Sequence, residues 1–308
     1  MRMLFVIDPP ARLNPRKDST IALMRAAARA GDDIFAATPV DLSMSGGDAV
    51  ATARQLQVSE EHTPWFVADD AKKFRAEDFD MVLMRAEPPV DSRFIAATWV
   101  LDAFSSPVVN APRALREMNE KLAILRFPQF IAPTIVSADM DEIAAFCDEH
   151  DGAVIKPLHG MGGRGVYVSP KSDMNLRSVV ELVGNGDMIM AQRYIPAARE
   201  GDARVFVIDG KPAEHMLMRV PRADDHRGNM AAGGRAEARP IGDSARAIAE
   251  VVGPVLADAG VWFAGLDVIG DYLTEINITC PTGLREVRDQ TGDDLAESAI
   301  AALRRSIT

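Results

Sequence analysis

The sequence predicts an α/β protein with a parallel sheet near its N-terminus and two or three lobes. Three observations carry that expectation. Short apolar runs alternate with helical patterns in the N-terminal part of the chain. The 308 residues exceed what one small core usually holds. Near the middle, residues 153–168 set a loop of four glycines between two β-rich runs.

The elements follow in order. Met3–Ile7 reads as a buried parallel strand. Asp18-Ser19-Thr20 supplies a helix start, and the alanine-rich Ile21–Ala30 ends at Gly31. Asp33–Ala37 and Phe79–Met84 read as further strands, with a helical pattern over Phe94–Phe104. This first unit closes near Ala111–Leu115, and its first βα turn lacks the glycine fingerprint of a dinucleotide site. Residues 116–121 read as helical, Thr134–Val136 as a strand and Met140–His150 as a helix. After the glycine loop, Met188–Gln192 reads as a strand and Tyr194-Ile195-Pro196 as a hinge. Asp202–Ile208 and Ala213–Arg219 form a hairpin around Asp209-Gly210. Residues 221–240 have no apolar period and read as a long functional loop.

Bulk composition narrows the function. A formal net charge of -11 argues against nucleic acid, which needs clustered Lys and Arg. Two cysteines, Cys147 and Cys280, make neither a disulfide framework nor a zinc site. The apolar run ending at Asp8 is too short for a signal peptide, and no stretch approaches the ~18 apolar residues of a membrane span. A cytoplasmic enzyme is the expectation.

The chemistry concentrates in two places. In Ala153–Val168, Lys156 interrupts an apolar run just before Gly160, Gly162, Gly163 and Gly165. Glycines let backbone amides approach an anion, and a nearby lysine places charge against it. The strand that follows excludes a dinucleotide fold, and no P-loop motif exists. The geometry is that of a flap over nucleotide phosphates. In Gly265–Asn277, a three-residue loop centred on Asp271 would set Asp267 opposite Glu275, with Asn277 on the same face. Opposed carboxylates call for a cation, and oxygen-only ligands suit Mg2+. Lys121 is a second candidate phosphate cation. Arg204 and Arg219 lie within apolar strands, where bidentate binding of carboxylate or phosphate is their natural task, the alternative being an ordinary structural ion pair with one of the many acids.

These motifs together resemble the ATP-grasp ligases, and within them the bacterial-type glutathione synthetases. The resemblance rests on Met84-Arg85 with Pro88-Pro89, Asn119-Glu120-Lys121-Leu122, Lys156-Pro157-Leu158 with Gly160–Gly163, Arg227–Arg235, Gly265–Gly270, and Thr274–Asn277 with Pro281-Thr282. It spans nearly the whole chain. His159 stands where the family often has an acid, and Cys280 where a serine is common.

The resemblance implies an ATP-grasp fold in three parts. These are a pre-ATP-grasp N-terminal α/β domain at 1–118, a small lid with the flap at 119–190, and a C-terminal subdomain at 191–308 holding the metal site and loop 221–240. It implies ATP and Mg2+ (with Mn2+ as a substitute), γ-glutamylcysteine and glycine, and a homo-oligomer, commonly a tetramer. Lys121, Lys156, Gly160, Gly162, Gly163, Gln192, Tyr194 and Ile195 would bind nucleotide. Asp267, Glu275 and Asn277 would hold metal. Arg204, Arg219, Arg227 and Arg235 would act in catalysis. Another ATP-grasp carboxylate–amine ligase is the alternative.

Overall fold

A computed structural model of the chain describes residues 1–160, 162–221 and 235–307. It contains three sheets. The first holds β1 (Arg2–Val6), β2 (Asp33–Ala37), β3 (Leu42–Ser45), β4 (Asp48–Val58), β5 (Phe66–Ala68), β6 (Lys72–Arg75), β7 (Met81–Met84) and β8 (Val108–Val109). Its order is β3-β4-β2-β1-β7-β8, with β5 and β6 also paired to β4. Strands β2, β1, β7 and β8 are mutually parallel. Residues Met3–Ile7 are almost fully buried, which explains an apolar run without alternation. Helix α1 (Ser19–Arg29) starts as expected: the Asp18 carboxylate accepts the Thr20 and Ile21 amides at 2.7 and 3.3 Å. Helices α2 (Ser92–Leu101) and α3 (Pro112–Glu117) complete the unit. The antiparallel strands over residues 42–75 were not among the sequence expectations.

The second sheet comprises β9 (Thr134–Ser137), β10 (Gly152–Pro157), β11 (Tyr167–Pro170) and β12 (Ile189–Arg193), in the antiparallel order β11-β10-β12-β9. Helices α4 (Met140–Glu149) and α5 (Leu176–Gly184) share a core with it through Ile143, Cys147, Leu176 and Val180. The expected boundary at 190 falls inside β12, whose pairing continues to Arg193.

The third sheet runs β15-β14-β13-β16-β17, all antiparallel. Its strands are β13 (Asp202–Ile208), β14 (Lys211–Val220), β15 (Arg235–Pro240), β16 (Phe263–Ile269) and β17 (Tyr272–Asn277), with α6 (Asp243–Asp258) between β15 and β16. Asp209 and Gly210, at φ 50° and 73°, make the tight turn between β13 and β14.

Two expectations need correction. Residues 116–121 are not one helix. Helix α3 ends at Glu117, and the Asn119 side-chain oxygen accepts the Lys121 and Leu122 amides at 3.0 and 3.1 Å. That side chain competes with helix continuation and starts a separate turn. Residues 221–240 are not wholly loop either. Arg235–Pro240 pair with β14, from Val220 opposite Arg235 to His215 opposite Pro240. Ala236 and Ala238 pack on the core, while Arg235, Glu237 and Arg239 form ion pairs on the other face. Charges on an edge strand also discourage stray pairing.

The units are tied together. The Asn110 side-chain oxygen accepts the Trp262 and Phe263 amides at 2.8 and 2.9 Å. Its side-chain nitrogen donates to the Phe263 and Ile278 carbonyls at 2.7 and 2.6 Å. Helices α7 (Leu284–Thr291) and α8 (Leu295–Ile307) end the chain. Leu295, Ala299, Ile300 and Leu303 of α8 join the core formed by Met3, Phe5, Ile21 and Met24. The Met1 ammonium sits 3.0 Å from Asp32, which also pairs with Arg304. Among the described residues, no helix is long and apolar enough to cross a membrane.

Candidate active site

The second and third sheets face each other across a cleft of about 960 Å³, counted to its open mouth. The flap between β10 and β11 covers one side. Gly160, Gly162, Gly163 and Gly165 have φ of 151°, 65°, 74° and 71°, a backbone range that other residues rarely adopt. The cleft is lined by Lys121, Lys156, Gly160, Gly162, Gly163, Gln192, Tyr194 and Ile195, together with Asp267 and Glu275.

Strand β10 carries Lys156 inward, where it is 8 % exposed. Its ammonium donates to the Gln192 side-chain oxygen at 3.2 Å, and Gln192 in turn donates to the Thr134 hydroxyl at 3.0 Å. Burial pulls the Lys156 pKa down, and Glu275 only partly offsets that. A desolvated cation beside glycine amides, with one neutral partner, suits a phosphate. Lys121 reaches the cleft from its turn. Its ammonium donates to the Gly160 carbonyl at 3.0 Å and lies 3.9 Å from Glu275. Lys121 thus links flap and hairpin.

The hairpin of β16 and β17 sets Asp267 opposite Glu275 and Gly265 opposite Asn277. The route differs from the expected three-residue loop. The turn holds two residues, Gly270 and Asp271, because Ile269 pairs with Tyr272. A bulge at Thr274 then inserts the missing residue, and the Thr274 hydroxyl donates to the Asp267 carbonyl at 3.0 Å. Turn and bulge together restore the register that opposes the two acids.

The acids have unlike surroundings. Arg204 grips Asp267 through two hydrogen bonds of 2.5 and 3.1 Å, and Arg219 adds a contact at 2.8 Å. Arg219 also holds Asp202 at 2.8 and 2.5 Å. Burial opposes charge on Asp267, but the two arginines outweigh it and hold its carboxyl well below the usual range. Burial likewise opposes charge on Arg219, but Asp267 and Asp202 overcome it and raise its pKa. Burial, opposed by Arg219, leaves the Asp202 pKa raised. A side chain at Gly265 would come within 2.6 Å of Arg204 Cδ, so the lack of one makes room for the clamp. Glu275, by contrast, meets only Lys121 among the cations of the described residues within ion-pair range. Asn277 spends its amide nitrogen on the Gly265 carbonyl at 3.2 Å, which leaves its side-chain oxygen for other work. Glu275 and Asn277 leave side-chain oxygens open on one face of β17, as a small hard cation needs, whereas Asp267 across from Glu275 has both carboxylate oxygens on Arg204 and Arg219 and would have to share them.

A second cavity of about 960 Å³ shares Gly160, Gly162 and Glu275 with the cleft. Arg204, Arg219, Glu120, Asn277, Thr279 and Cys280 line it. The two strand arginines therefore front the second cavity, while the lysines front the first. Arg235 is exposed on β15 in an ion pair with Glu237, and it lines neither cavity among the described residues. Arg227 lies outside the described residues.

Sequence reading missed several participants. Asp202 looked like an ordinary strand start, and its value comes from Arg219 across the hairpin. Val154, Val168 and Ile269 wall the cleft but read as core. Glu120 was noted only within a motif; its position between Asn119 and Lys121, which both reach the flap, was the available signal.

Comparisons with known proteins identify the family and the fold. Residues 1–116 match the model for the prokaryotic glutathione synthetase N-terminal domain, and 120–292 match the model for its ATP-grasp domain. The chain is 42% identical to the glutathione synthetase of Ralstonia nicotianae, covering 99% of this chain and 96% of that one. It is 44% identical to that of Xanthomonas axonopodis pv. citri, covering 96% and 95%. Among solved structures, it resembles the D-cycloserine synthetase DcsG at a TM-score of 0.72 and 16% identity, covering 99% and 100%. The ATP-grasp ligase PsnB, solved with minimal precursor, Mg and ADP, gives a TM-score of 0.63 at 15% identity, covering 99% and 97%. On an ATP-grasp fold, this chain belongs to the prokaryotic glutathione synthetase family.

Proposed function

We propose that the chain joins γ-glutamylcysteine to glycine at the expense of ATP, forming glutathione, ADP and phosphate. The observation that carries this is the junction of two cavities at Glu275, one fronted by lysines and the flap, the other by arginines. ATP would lie in the first, its base between Val154, Val168, Ile195 and Ile269 and its phosphates under the flap. Gln192 and Tyr194 flank the base, while Lys121 and Lys156 receive phosphate charge. Mg2+ or Mn2+ held by Asp267, Glu275 and Asn277 would supply further charge neutralisation.

The cysteinyl α-carboxylate attacks the γ-phosphoryl group and becomes an acyl phosphate. The amine of glycine then displaces phosphate. Carboxylate and triphosphate repel one another, so the main task of the protein is positioning and charge compensation. Arg204 and Arg219 front the junction, where that compensation is needed. Acyl phosphates hydrolyse readily, and residues 221–234 with Arg227 would shield the centre, with Arg235 at its border. We divide the chain at 118 and just after β12. The cytoplasmic homotetramer is part of the same proposal, checked by light scattering.

A substrate-matrix assay tests the reading. Phosphate should appear only with both γ-glutamylcysteine and glycine, and mass analysis should find glutathione. Equal turnover with other amino-acid pairs would point to a broader ligase.

A further inference from the structure

We propose that Glu120 receives the amine of the acceptor: its free carboxylate oxygen binds the incoming ammonium group in the second cavity and takes its proton as the new bond forms. This rests on the ligase reading above.

Glu120 is divided between two tasks. Its Oε1 accepts three hydrogen bonds, from the Ile278 amide at 2.9 Å, the Thr279 amide at 3.1 Å and the Thr279 hydroxyl at 2.9 Å. Its backbone carbonyl accepts the Ile276 amide at 2.9 Å. These contacts hold the side chain against the segment that follows the acid hairpin. Oε2 has no partner among the described residues, and the side chain lines the cavity fronted by Arg204 and Arg219. A carboxylate fixed by one oxygen, with the other directed to a reaction cavity, is a preorganised acceptor.

The surroundings indicate a proton-bearing ligand. Among the described residues, no three His, Cys, Asp or Glu side chains gather to hold a metal, so Glu120 does not extend the oxygen set of the hairpin. No Lys, Arg or His pairs with Glu120 in any described ion pair. Burial raises its pKa, which its three donors only partly counter, and Glu275 adds to the rise. Such a carboxylate is a stronger base than a solvated one, and an arriving cation relieves it.

The chemistry balances. The acceptor arrives as an ammonium ion, whose nitrogen has no lone pair to attack with. One N–H proton passes to Oε2. The freed lone pair forms the C–N bond at the acyl carbon, the C–O bond to phosphate breaks with its electron pair leaving on phosphate, and the second N–H proton passes to that phosphate, which leaves a neutral amide.

Hydroxylamine gives the test, because it is unprotonated at neutral pH and needs no base. Glu120→Gln keeps a carbonyl oxygen for Ile278 and Thr279 but loses the proton acceptor. We expect glycine ligation to fall on the order of 10²–10³-fold. ATP-dependent hydroxamate formation from γ-glutamylcysteine should stay near the wild-type rate, with unchanged KM for ATP and γ-glutamylcysteine. Parallel loss with both acceptors, or loss with neither, overturns the proposal. Were Glu120→Gln to melt early, Glu120→Ala with added formate replaces it: rescue of glycine ligation supports the role, and no rescue overturns it. Wild-type protein that makes neither product from γ-glutamylcysteine would instead overturn the ligase reading, and this role with it.

Discussion

Lysines and arginines divide the site between them. Lys121 and Lys156 meet a backbone carbonyl, an amide oxygen and a distant Glu275. Arg204 and Arg219 are locked to Asp267 and Asp202 by short, paired hydrogen bonds. The acids follow the same split: Asp267 is enclosed, whereas Glu275 is nearly uncommitted. Charges with unspent bonding capacity are available to a ligand, and charges already paired hold the shape in which it binds.

That division can be broken experimentally. The largest effect should come from Arg219→Met, which strands Asp202 without its ion-pair partner and leaves Asp267 with Arg204 alone. Denaturant unfolding should show a loss of about 3–5 kcal/mol. A small loss would mean that the arginines are not structural.

Next, Glu275→Gln should lower Mg2+-dependent turnover on the order of 10²–10³-fold while circular dichroism stays native. Normal turnover would remove Glu275 from the metal set. Replacing residues 222–234 with a short linker should leave nucleotide affinity intact but reduce peptide formed per ATP consumed. Unchanged coupling would end the shielding role.

Lys156→Met should raise the nucleotide Kd about 10–100-fold, the loss of one charge-assisted contact. Its Tm should hold or rise, since a desolvated charge is replaced by a well-sized apolar chain. A fall in Tm would place Lys156 with the arginines.

The smallest effect is in pH. The Lys156 pKa is lowered on folding, so the native state releases its proton first. In the ligand-free protein its contribution to stability therefore grows as pH rises from the lowered folded value toward ~10.4, the unfolded value. Lys156→Met should flatten that part of the profile in pH-dependent melts.

Much of this was legible where sequence constraints are local. Four glycines in one loop, with a lysine before them, have few other readings. The opposed acids were found although the turn was misjudged, because two compensating deviations leave the register of Asp267 and Glu275 unchanged. Alanine hid other elements. In β4, Ala49, Ala51 and Ala53 face the core, and in β15 Ala236 and Ala238 do so. Alanine is a weak strand former and scarcely marks a buried face, so both strands escaped notice. The arginine clamp was half visible. Arg204 and Arg219 stood out by being embedded in apolar strands, but their acid partners were set by cross-strand pairing that no local pattern states. Apolar walls of the cleft cannot be told from core by residue type alone.

The meeting of β1 and α8 around Asp32 has a consequence for biosynthesis. A sheet begun early in translation is covered by a helix made much later. Until α8 emerges, Met3, Phe5 and Ile21 lack part of their cover. Nascent chains should therefore stay vulnerable to proteases until α8 has left the ribosome. A circular permutant that places α8 ahead of β1 and opens at an exposed turn elsewhere would remove that delay.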